Sequence, residues 1–191
     1  NTNRSITGKI KAGMLVLVFM LGLNSVATAQ VVVDATSTVF TGANVTTLTV
    51  SHTTGNAANR LMLVGISDSE NAGLKVTYDG DELAEYGHQI SSNNARTHIF
   101  YMINPPSGTF DVVVTATSNS FNKGCIVGVM TFSGVDQNTP LNTYTSLYGN
   151  STNPTLTNIP TATNELVFNV VALQTDILTG VGTNQTLRWN I

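Results

Sequence analysis

The chain has 191 residues, of which 41% are hydrophobic and only 10% charged, with 8 Lys and Arg against 11 Asp and Glu and a formal charge of −3. So small a charged fraction, replaced by Thr, Asn, Ser, Gly and Val, argues against a helical bundle or coiled coil, and the content of Val, Ile, Leu and Phe argues against disorder. The acidic balance disfavours nucleic acid as a partner, and the single Cys125 excludes a disulfide-stapled scaffold.

Residues 1–29 have the three-part plan of a secretory signal peptide. Arg4, Lys9 and Lys11 precede the apolar run from Met14 to Leu21, and Ala27-Thr28-Ala29 supplies the small residues of a cleavage site. The mature chain is expected to begin at Gln30. The apolar run breaks at Asn24-Ser25, short of the roughly 20 residues needed to span a bilayer, so the mature chain is expected not to insert into a membrane. Removal of those three cations leaves five against eleven acids, a net charge of −6, which suits a soluble extracellular protein.

Beyond Gln30 no long stretch has apolar residues at helical spacing, while short β-branched runs recur between turn residues. Strands are predicted at 31–40, 45–52, 60–67, 75–78, 82–86, 97–103, 109–117, 125–132, 165–173 and 186–191. Asp79-Gly80 is a hairpin signal, because the turn requires positive φ. Asn104-Pro105-Pro106-Ser107-Gly108 ends one strand and opens another.

Leu61-Met62-Leu63-Val64, Cys125-Ile126-Val127 and Leu166-Val167-Phe168 are apolar on both faces and are expected to be buried on both sides. Thr47, Thr49 and Ser51 alternate with Leu48 and Val50, as in a strand with one wet face. The segment 137–160 reads as a surface connection with one short strand near Tyr144 to Tyr148. The expected fold is an all-β antiparallel β-sandwich, Ig-like or of jelly-roll Greek-key type, formed as one domain by residues 30–191. The last predicted strand runs to the final residue, so the domain is expected to be truncated at its C-terminus.

Several stretches carry a resemblance. They are Asn59-Arg60-Leu61-Met62-Leu63-Val64-Gly65-Ile66-Ser67, Val76-Thr77-Tyr78-Asp79-Gly80, residues 101–109 with their paired prolines, Phe132-Ser133-Gly134-Val135-Asp136-Gln137 followed by Thr139-Pro140-Leu141, and Gln185-Thr186-Leu187-Arg188-Trp189. In this order the chain resembles a β-sandwich domain of secreted and cell-surface proteins of Gram-negative environmental bacteria, often one module of adhesin-like or enzyme-bearing chains. The resemblance implies fold and location and supplies no catalytic residues.

Candidate chemistry is sparse. Asp79, Asp81 and Glu82, with Glu85, Asp68 and Glu70 nearby, form an acidic cluster that would suit Ca²⁺, although an exposed turn favours Asp and Gly for backbone reasons alone. As a carboxylate pair for glycoside hydrolysis, Asp81, Glu82 and Glu85 are candidates by composition only. His52, His88 and His98 are too dispersed for a metal motif, so zinc is not expected. Ser133-Gly134 lacks the glycine of a nucleophile elbow, and Cys125 reads as a small core residue. Tyr144 and Tyr148 lie in a polar segment and are candidates for stacking on sugar rings. No cofactor is expected beyond this calcium candidate, and no catalytic residue is identified. The functional expectation is a noncatalytic extracellular module in adhesion or as a spacer, with extracellular glycans or other surface proteins as partners. The alternatives are a carbohydrate-binding module attached to a secreted enzyme and a fragment of a polysaccharide-active hydrolase.

Overall fold

β-Branched and aromatic residues at alternating positions, interrupted by Gly, Asn and Pro, carry the chain through nine strands and no helix in the described residues. The computed structural model describes residues 30–42, 44–69, 73–151, 154–157, 159–173 and 180–190. The predicted leader, Glu70 and Ile191 lie outside these.

The strands are β1 (Val32–Thr41), β2 (Thr47–Thr54), β3 (Leu61–Asp68), β4 (Leu74–Tyr78), β5 (Asp81–Glu82), β6 (Ala84–Ile90), β7 (Arg96–Ile103), β8 (Gly108–Ala116) and β9 (Cys125–Ser133). They form a five-stranded sheet, β1-β9-β3-β7-β6, and a four-stranded sheet, β2-β8-β4-β5, with every pair antiparallel. The pairs β1·β9, β2·β8, β3·β7 and β4·β5 are nested like a long hairpin whose successive rungs alternate between the two sheets. That order is the jelly-roll Greek key, one of the two sandwich types expected from the sequence.

The sequence signals place most of these strands within a residue or two. Asp79 (φ 51) and Gly80 (φ 88) both take positive φ, as a type I′ turn between β4 and β5 requires. Asn104 (φ 50) and the prolines carry the chain from β7 in one sheet to β8 in the other. Within the two sheets, one predicted strand needs correction. Residues 82–86 are not one strand, because buried Leu83 ends β5 and the chain changes sheets there. β6 then continues to Ile90.

Alternation on β3 and β9 builds two cores. Met62, Val64, Ile66, Val127 and Val129 point between the sheets and pack with Leu48, Val76, Tyr78, Val112 and Val114. Leu61, Leu63, Met130 and Phe132 point away from the sandwich and pack with Val135, Leu141, Phe168 and Trp189. The central strands are therefore buried on both sides, and β2 keeps its expected wet face at Thr47, Thr49, Ser51 and Thr53.

The cover on the outer face comes from the last third of the chain, and here the sequence expectation fails. Residues 144–148, 165–173 and 186–190 form no strand. In the second segment Leu166 and Val167 are exposed (55% and 53%), so Leu166-Val167-Phe168 is not buried on both sides. Phe168, Val170 and Ala172 alone are half-buried, which is the alternation of an extended segment lying on one surface. What admits it is a row of glycines. Gly128 pairs with Gly65, Gly65 with Ile99, and Ile99 with Gly87, so the row crosses β9, β3, β7 and β6. The ring of Trp189 sits on Gly128, Phe168 and Val170 on Gly65, and Tyr144 on Gly87. Glycine within a strand permits this close approach.

Candidate functional site

Three of the stretches that carry the resemblance, 59–67, 101–109 and 132–137, meet at one end of the five-stranded sheet, where their polar groups satisfy backbone. Arg60 donates from Nε to Pro105 O and from Nη1 to Ala57 O, both at 2.8 Å. Its own carbonyl accepts from Asn104 N (2.8 Å) and Gln137 Nε2 (3.2 Å). Asp136 Oδ1 accepts from the backbone N–H groups of Asn138 and Thr139, which hold its carboxyl below the usual carboxylate range. Arg60 and Gln137 thus tie strand ends together.

A second polar group lies between the sheets. Thr131 donates to Asp34 Oδ2 at 3.0 Å, so His52 Nε2–H donates to Thr131 Oγ1 (3.2 Å) and His52 Nδ1 accepts from Ser37 Oγ (3.0 Å). Gly55 N–H completes the chain at Asp34 Oδ2, 2.7 Å away. His52 is buried, and that burial lowers its pKa against the opposing pull of Asp34. The chain bridges β1, β2 and β9 and fixes one imidazole tautomer.

The group with ligand chemistry is at the β6 edge. Glu85 Oε1 lies 3.1 Å from His88 Nδ1 and 2.9 Å from His98 Nδ1, and the three donor groups fall within 4.8 Å of one another. His98 Nε2 is 3.6 Å from Oδ2 of buried Asp68. The rings of His88 and His98 are 5.5 Å apart, and His98 stacks on Phe100.

Local backbone geometry explains why these side chains meet. The turn at 91–95, closed by Ser91 N to Ala95 O at 2.9 Å, sets His88 directly opposite His98. In a regular strand Glu85 and His88, three residues apart, would face opposite sides. A bulge between Glu85 and Gly87 inserts Tyr86, so Glu85 opposes Phe100 and shares the face of His88 and His98. Tyr86 turns to the other face, edge-on to Tyr101 and Tyr144, and donates to Asn142 O. Asp68 reaches His98 from β3, where Ile66 is the direct partner of His98.

Sequence spacing misses this site because it ends the strand at Tyr86. The signal that reveals it is the hairpin itself: two histidines, each three residues from the five-residue turn Ser91-Ser92-Asn93-Asn94-Ala95, with Asn94 at positive φ.

The acidic residues Asp79, Asp81 and Glu82 lie elsewhere, exposed at the β4–β5 turn, with Glu82 3.2 Å from Lys75 Nζ. Tyr144 is half-buried against Gly87 and Tyr86, whereas Tyr148 is 57% exposed. The structure therefore separates the two tyrosines that the sequence grouped. Cys125 is buried, with its thiol pushed up to about 12 by desolvation and then by the Asp68 carboxylate. Among the described residues no helix is long and apolar enough to cross a membrane. Comparison with family models, with curated proteins and with solved structures gives no match for this chain.

Proposed function

We propose that this chain is a noncatalytic extracellular β-sandwich module, acting in adhesion or as a structural spacer of a secreted or cell-surface protein. The observation that carries the reading is the outer face of the four-stranded sheet. Thr47, Thr49, Ser51 and Thr53 of β2 stand opposite Thr115, Val113, Asp111 and Thr109 of β8, and Thr77 of β4 extends the row at Val113. This is a broad, hydroxyl-rich surface, interrupted by exposed Asp111 and by the Lys75–Glu82 ion pair, and suited to many weak hydrogen bonds with a polar neighbour. The apolar faces of the five-stranded sheet are consumed by packing. The leader and the acidic mature chain support export.

A second reading, a carbohydrate-binding module attached to a secreted enzyme, is favoured by the exposed ring of Tyr148 beside exposed Leu147. Retention of the chain on insoluble polysaccharides and on intact cell surfaces separates the two. Attachment that survives Tyr148→Ala and is lost with Thr49→Arg and Ser51→Arg together supports the first reading. Polysaccharide retention lost with Tyr148→Ala supports the second. Turnover of a polysaccharide by the purified chain overturns both.

A further inference from the structure

We propose that Glu85, His88 and His98 bind one divalent transition-metal ion of the Zn²⁺ class, with Asp68 orienting His98. Two imidazoles and one carboxylate match the hardness of this class of ion, whereas Ca²⁺ takes oxygen ligands almost exclusively. Metal–ligand bonds of about 2.0–2.1 Å in a tetrahedron put neighbouring ligand atoms about 3.3 Å apart. Two of the three ligand–ligand distances, 2.9 and 3.1 Å from Glu85 Oε1, are already within a few tenths of an ångström of that spacing, and all three donor atoms lie within 4.8 Å of one another. They are carried by adjacent strands of one sheet, and the bulge at Tyr86 serves to aim Glu85 toward the two rings.

The proton bookkeeping also closes. Without metal, the two Nδ1–H groups donate to the shared Oε1. An ion bound at Nδ1 takes the place of both protons, and each neutral ring then carries its proton on Nε2, with no net proton lost. For His98 that nitrogen faces Asp68 Oδ2 at 3.6 Å, so the new N–H points at a buried carboxylate. A carboxylate behind a ligating histidine fixes its tautomer and raises its basicity, and loss of such a partner weakens metal affinity about 10–100-fold. His88 and Glu85 are partly exposed (side chains 51% and 38%), which gives the ion an entry path and leaves its remaining position for water or an external carbonyl or carboxylate.

The test is Zn²⁺ titration of the tag-free full chain by calorimetry, with the visible spectrum of Co²⁺ as a report on nitrogen ligation. One ion per chain is expected, with Ca²⁺ unable to compete. His88→Ala and Glu85→Gln, both at an exposed edge, should each weaken binding at least tenfold while leaving the circular dichroism spectrum unchanged. Asp68→Asn should weaken it about 10–100-fold and, if its fold is retained, leave the Co²⁺ ligand count intact. A folded chain that takes up no Zn²⁺, or that binds it equally well after His88→Ala and Glu85→Gln together, overturns the site. Undiminished binding by a folded Asp68→Asn variant overturns the role of Asp68.

Discussion

The indole of Trp189 occupies the space that a Cβ on Gly128 would need. The same holds for Tyr144 at Gly87, where an added Cβ would meet the ring at 2.7 Å, and for Val170 at Gly65. Three extended segments of the last third of the chain are thus keyed to three glycines in one row of the sheet. None of the three segments is a strand, so the outer cover is held by side-chain packing and scattered hydrogen bonds, such as Ser146 Oγ to Gln89 Oε1 at 2.6 Å and Tyr86 to the Asn142 carbonyl.

Gly128→Val should therefore lift the last segment and leave the sandwich standing. Trp189 is the sole tryptophan, so its emission reports that segment directly. A red-shifted emission is expected, with retained far-ultraviolet dichroism and a stability loss of about 1–3 kcal/mol, the usual cost of overpacking. An unchanged emission maximum would show that the ring does not rest on Gly128.

Val64→Asp should abolish folding, because Val64 is fully buried between the sheets and an unpaired buried carboxylate costs several kcal/mol against a total of about 5–15. Thr49→Asp, on the wet face of β2, should change the melting temperature little. Parallel thermal melts check both, and equal losses would contradict the assignment of faces.

The buried His52 gives stability a pH dependence of known sign. Its folded pKa lies below the 6.5 of the free side chain, so the unfolded chain takes up the proton first as pH falls. The contribution is complete above about pH 6.5 and is lost as pH drops toward the lowered folded value. Urea unfolding at pH 7.5 and 5.5 should show a larger difference for the native chain than for His52→Gln. Equal differences would remove His52 as the source.

Cys125, with its thiol pushed up to about 12, should resist an aromatic disulfide reagent at pH 8 in the folded chain and react at once in denaturant. Rapid reaction of the native protein would place the thiol at the surface.

Local signals were legible wherever the chain obeys a local rule. Asp79-Gly80 announces its turn because both positions need positive φ, and β3 announces its double burial because both faces are apolar. The Glu85–His88–His98 group was hidden because alternation forbids what the bulge at Tyr86 allows, and a bulge leaves no mark in composition. The strands expected at 165–173 and, within its described residues 186–190, at 186–191 failed for another reason. Their β-branched and aromatic residues fit any extended path on an apolar surface, and glycines far away in sequence decide that they lie across the sheet as a cover.

The nested strand order also has a kinetic side. Thr38 of β1 donates to Val127 of β9 across 89 positions, and among the described residues β1 has no other ladder partner. Of the nine described strands β1 is made first yet is among the last to be paired, since its neighbour follows seven others off the ribosome. High contact order of this kind places folding in the range of milliseconds to seconds. A nascent chain so arranged leaves β1 unpaired until β9 emerges, and a single stop codon before residue 125 would remove the strand between β1 and β3 and leave β1 with nothing to join.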